Sequence, residues 1–141
     1  MADTSVSGAG STDLGKLVLR LTIGGLILMH GIAKLGGGTG WISGMLEKNG
    51  LPAVLAYGVY LGELVAPVLL IIGLWTRPAA LIVVINMLFA IGLVHMHEIG
   101  SITKVGAWAI ETQALFLFGA LAVALLGAGR LSVGGANGRW N

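Results

Sequence analysis

The chain has 141 residues, 56% of them apolar and only 10% charged, against about 25% charged in an ordinary soluble domain. With a mean hydropathy of +0.94, polar groups cannot cover its surface, and an ordinary soluble fold is excluded. Its net charge of +2 comes from Lys and Arg scattered without a basic run, and it has no Cys, so nucleic-acid binding, disulfides, iron–sulfur ligation and dithiol chemistry drop out together.

Residues 1–13 are polar and rich in Gly, Ser and Thr, and read as a mobile tail. With two Asp and no Lys or Arg before a long apolar run, they do not read as a cleaved signal peptide. The membrane domain, residues 14–131, follows. Its first apolar stretch, 14–35, has the length that crosses a hydrocarbon core of about 30 Å as helix. Gly36-Gly37-Gly38 breaks it. Residues 41–48 then read as a short interfacial helix in the first outer loop, stopped by Asn49-Gly50 and Pro52.

The second span is 53–75. A tight turn, Trp75-Thr76-Arg77-Pro78, leads into the third, 78–96. Residues 98–104 form the second outer loop, 106–126 the fourth span, and 132–141 a C-terminal tail. Long single apolar runs satisfy their own backbone as helices, not as barrel strands. The expected fold is all-α, an integral membrane four-helix bundle. Lys16, Arg20, Arg77, Arg130 and Arg139 fall at one side, Lys34, Lys48 and Lys104 at the other. That asymmetry orients the chain in a bacterial inner (plasma) membrane with both termini cytoplasmic.

Ionisable side chains within spans are costly in lipid and mark functional candidates. Here they are Arg20, His30, Glu63, His95 and Glu111, with Asn86 and Gln113 as neutral companions. At 1.5 Å per residue, His30 and His95 lie about 24 Å above the cytoplasmic end, Glu111 about 22 Å and Glu63 about 16 Å. A 3–4 seam through Val83, Asn86, Ala90 and Leu93 selects His97 as the inward histidine of the third span and turns His95 away. Arg20 can bridge to Glu63 as a structural ion pair. His30, Glu63 and Glu111 are the candidate catalytic groups. Together with His97 and Trp108 they outline a cleft for a quinone, whose carbonyls a neutral His and a carboxylic acid can bond. Two His at one depth also suit b-type haem. No Glu-x-x-His pair lies within a span, so no metal site is assigned. Spacing alone leaves these chemistries open.

Several segments together resemble the DoxX family of small four-span bacterial membrane proteins. They are Leu19-Arg20-Leu21 with Gly24, Met29-His30-Gly31-Ile32-Ala33-Lys34, Gly50-Leu51-Pro52, Gly62-Glu63-Leu64, Gly73-Leu74-Trp75-Thr76-Arg77, Glu111, and Gly127-Ala128-Gly129-Arg130-Leu131-Ser132. The chain departs from the family at Ala128, where Pro is usual, and at Val133-Gly134, where an acidic residue is. The resemblance, which extends to the related DoxD, implies a redox-linked membrane protein working with quinone and accompanying other membrane or peripheral redox subunits. It raises quinone above haem. It leaves two roles open: a quinone-linked oxidoreductase subunit, or a non-catalytic structural or assembly subunit of a larger respiratory or photosynthetic complex.

Overall fold

The computed structural model describes residues 4–141, with side chains from residue 9 onward. It is helical throughout: α1 (Thr4–Gly37), α2 (Gly40–Lys48), α3 (Ala53–Ile72), α4 (Thr76–Glu98) and α5 (Glu111–Leu126). Helices α1, α3 and α4 are each long and apolar enough to cross a membrane, and α5 is a shorter apolar helix. The long helices and α5 form a closed ring in which α1 packs on α3, α3 on α4, α4 on α5 and α5 back on α1. The expected four-helix bundle is what the chain forms, with α2 as the short helix of the first loop.

The ring is narrow because small residues line its centre. Ala66, Ala79, Ala80 and Ala120 are fully or almost fully buried beside Leu70 and Val83. Lipid tails are as apolar as Leu, so close backbone approach, not hydrophobic exclusion, drives such packing. Large side chains point outward instead: Met29, Val54, Leu115, Phe118 and Leu125 are all more than 60% exposed. A soluble protein would hide them; a bilayer solvates them.

Helix α3 is not uniform. Pro67 has no N–H, and its ring crowds the carbonyl four residues earlier, that of Glu63. The helix responds with a π turn over Leu61–Val65. Gly31 of α1 packs directly against the Glu63 carbonyl, and a Cβ at Gly31 would collide with it. One heptad earlier, Gly24 sits on the Pro67 carbonyl. These two glycines serve packing within the bundle.

The end of the ring near the α3–α4 turn is closed by arginines. Gly73, at φ 71°, ends α3, and the N–H groups of Gly73 and Leu74 both return to the Leu69 carbonyl, a left-handed helix stop. The next carbonyls, Leu70 and Ile71, accept from Arg20 Nη1 at 2.9 and 2.6 Å. Arg20 also donates to the carbonyls of Ala128 and Leu131, and is 1% exposed. Val133 and Gly134 cover the Ile72 and Gly73 carbonyls. At the end of α5, Arg77 Nη1 covers the Ala124 and Leu125 carbonyls at 2.8 and 3.1 Å.

Four expectations need correction here. Residues 4–13, read as a mobile tail, continue α1, and Asp13 pairs with Arg130; the first three residues of that tail lie outside the described ones. Residues 132–141 are not a detached tail either. They fold under the bundle, where buried Asn141 accepts from the buried Thr76 hydroxyl at 2.7 Å. The fourth helix begins at Glu111, not at 106, because residues 101–109 make a small hairpin with Thr103 N–H on the Ala107 carbonyl and Gly106 at φ 84°. Finally, Arg20 does not meet Glu63. It sits two turns lower, where helix-end carbonyls, which carry partial negative charge, already neutralise it.

Removing Arg20 strips the partner from four carbonyls, of which those of Leu70 and Ala128 are buried, each worth about 1–3 kcal/mol if left unpaired. Arg20→Met is expected to lower stability in detergent by about 3 kcal/mol or more. With no contact between the residues, the Arg20→Met/Glu63→Gln double variant should equal the sum of the singles within about 0.5 kcal/mol. Thermal unfolding of the four proteins measures this, and a large coupling would restore the direct pair.

Candidate functional site

At the opposite end the ring stays open around polar side chains. Glu63, 5% exposed, is carried inward by the π turn of α3. It forms an ion pair with Lys34 of α1 and accepts from Asn86 Nδ2 of α4 at 3.2 Å. Tyr60 bonds the Lys34 carbonyl at 3.4 Å. A charged pair buried this way needs its remaining lone pairs satisfied to be tolerated, and Asn86 does that for the second carboxylate oxygen.

A second π turn, Ile91–His95, lies near the end of α4. Its wider i→i+5 winding lags behind α-helical rotation and brings His95 round to the interior. Gln113 Nε2 of α5 lies 3.1 Å from His95 Nε2, and Glu98 Oε2 lies 2.6 Å from Nδ1. The two contacts engage both ring nitrogens of His95, Nε2 with the Gln113 amide and Nδ1 with the Glu98 carboxylate. His30 meets Phe116 edge-on, with ring centroids 5.7 Å apart.

These groups surround one cavity of about 140 Å³. His30, Lys34, Glu63, His95 and Gln113 supply its polar wall, and Ile27, Met87 and Phe116 its apolar wall. Thr112 and Phe116 also line a second, larger groove of about 580 Å³ between α1 and α5. That groove is apolar, walled by Leu19, Ile23, Leu26 and Phe118, with Trp108 and Glu111 at its polar end.

The structure thus brings His30 and Glu63 of the expected cleft together and leaves Trp108 and Glu111 in the adjoining groove. Glu111 is the first residue of α5 and exposed, because the hairpin before it shortens the helix. His97 is excluded: it falls in a 3-10 turn past the end of the ring, with its side chain 78% exposed. His95 and Gln113 take its place. Lys34, which the sequence places at the end of an apolar run as an interfacial cation, belongs to the site as the partner of Glu63; its four-residue spacing from His30 puts the two on one helix face.

Four neighbouring helices with an outward apolar surface and a polar cavity within define a small helical membrane protein. The DoxX family profile matches residues 15–96. The chain belongs to the DoxX family. It is 34% identical over 84 residues to a Bacillus subtilis protein named "Putative oxidoreductase CatD", a match covering 60% of this chain and 58% of that protein. It is also 34% identical over 111 residues to an uncharacterized Haemophilus influenzae protein, covering 71% of this chain and 76% of the relative. No solved structure gives a significant match.

If the Gly31 contact holds the site closed, it has an internal control. A Cβ at Gly25, on the same helix, meets nothing within 4 Å. Gly25→Ala is expected to be neutral or to stabilise by up to about 1 kcal/mol. Gly31→Ala should cost about 2 kcal/mol as α1 is pushed off α3. Thermal unfolding of the two variants side by side checks the opposite signs.

Proposed function

We propose that this protein is the quinone-binding membrane subunit of a redox system. The observation that carries the reading is the join between a polar cavity and an apolar groove at Thr112 and Phe116. An amphiphile with a small hydrogen-bonding head and a long hydrocarbon tail matches that pair of spaces. A quinone supplies the electron acceptor that the chain's own side chains lack. Lys34 and His30 from α1, with the second amide N–H of Gln113 from α5, would hold its carbonyl oxygens. The name of the Bacillus subtilis relative supports a redox setting.

Haem fits less well. Both His95 ring nitrogens are engaged, by Glu98 and Gln113, and a space of about 140 Å³ is far smaller than a porphyrin. The electron donor would be a partner subunit. Membrane orientation follows the charges: the end with Lys16, Arg77, Arg130 and Arg139 faces the cytoplasm, and the cavity opens towards the other side.

Two experiments test this. The sequence has no Cys, so single cysteines report topology cleanly. Val105→Cys, at an 89% exposed loop position, should react with an impermeant maleimide on intact cells, and Trp140→Cys only after permeabilisation. The reverse pattern inverts the orientation.

For quinone, the reporter is Trp fluorescence in nanodiscs. With Trp75 and Trp140 changed to Phe, Trp41 at the cavity and Trp108 at the groove remain. A short-chain quinone should quench them saturably. Lys34→Met and His30→Leu should each weaken binding about tenfold, the equivalent of one good hydrogen bond at about 1.4 kcal/mol. Quenching that never saturates, unchanged in both variants, would remove the quinone and leave a structural or assembly role in a larger membrane complex.

A further inference from the structure

At the arginine-capped end, far from the polar cavity, the backbone carries an unusual pair of residues. Among the described residues, Trp75 (φ 48°) and Trp140 (φ 67°) are the non-glycine residues in the left-handed region. A bulky side chain at such φ is an outlier, and strain of this kind persists only where surrounding structure enforces it. Here it does. Arg77 N–H bonds the Trp140 carbonyl at 3.0 Å, and Arg77 Nε bonds the Asn141 carbonyl at 3.1 Å.

The result is that two indoles from distant parts of the sequence are held facing outward, 59% and 58% exposed. They line one groove of about 510 Å³ with Pro78 and Arg139. Arg139 Cζ lies 5.7 Å from the Trp140 ring centroid. Arg139 has no carboxylate partner among the described residues. The same end holds Lys16, Arg20, Arg77 and Arg130 against Asp13, which Arg130 already takes. The groove therefore offers a cation to an anion and two aromatic faces to hydrocarbon, at the level where tryptophans mark a bilayer interface.

We propose that Trp75, Arg139 and Trp140 form a seat for one anionic phospholipid, with its phosphodiester on Arg139 and its glycerol and upper acyl chains between the indoles. The occupant is a lipid and not free phosphate because two aromatic walls add nothing for a bare anion. The site is separate from the proposed quinone cavity and does not depend on it.

Glycine adopts left-handed φ without strain, so it removes an indole while keeping the backbone. The full-length protein is equilibrated with equal phosphatidylglycerol and phosphatidylcholine, and retained lipid is read by native mass spectrometry. The wild type should keep one phosphatidylglycerol. Trp75→Gly and Arg139→Gln should each cut that occupancy about tenfold, Trp75→Gly with melting temperature unchanged or raised. Lys16→Gln, a nearby cation outside the groove, should retain the lipid. Equal occupancy in Arg139→Gln and wild type overturns the proposal. So does equal loss in Lys16→Gln, which would mean diffuse charge attraction, or displacement of the lipid by millimolar inorganic phosphate.

Discussion

Every helix end in a bilayer leaves carbonyls that neither lipid nor the helix itself can satisfy. This bundle meets that constraint with two guanidinium groups. Arg20 covers the end of α3 and Arg77 the end of α5, each reaching carbonyls of a helix other than its own. A buried arginine without a carboxylate would ordinarily be prohibitive. Here the partial negative charge of the helix C-termini stands in for the counter-ion. The same bonds fix which helices neighbour one another and pull the segment after α5 under the bundle. The polar opening at the other end can exist because this end is closed without using any of the interior acids.

Much of the architecture was legible in the sequence because lipid imposes simple rules. Span length and Gly placement located the helices, and the short loop helix ended at the expected residues. Within the site, Glu63 and His30 were found from depth alone, since a carboxylate at mid-span has few benign explanations. The misses share one cause. A uniform 3.6-residue period cannot anticipate π turns, and two of the four site-bearing helices, α3 and α4, contain one. That is why His97 was chosen over His95. The Arg20–Glu63 pairing failed differently. It matched formal charges and ignored backbone carbonyls, which in this bundle are the principal acceptors for arginine. Lys34, Glu63's actual partner, shares a helix face with His30, but its place at the edge of a span reads as that of an interfacial cation.

The two π turns also give the site its composition. Pro67 has no N–H to offer the Glu63 carbonyl, and that carbonyl is the atom on which Gly31 of α1 packs. The absence of a side chain at Gly31 lets α1 come close enough for Lys34, on the same helix, to reach the Glu63 carboxylate. The family likeness in Gly31 and Gly62-Glu63 has this packing as its physical content: Gly62 lies against Asn86, the other residue that holds the Glu63 carboxylate.

Helix α1 runs for 34 residues, roughly 50 Å, and so outreaches a hydrocarbon core of about 30 Å. Arg20 locks its middle to two other segments, Asp13 ties one side to Arg130, and Gly24, Gly31 and Lys34 hold the other against α3. The rod is thus held along most of its length, so the places of His30 and Lys34 at the cavity are set from both ends of the bundle.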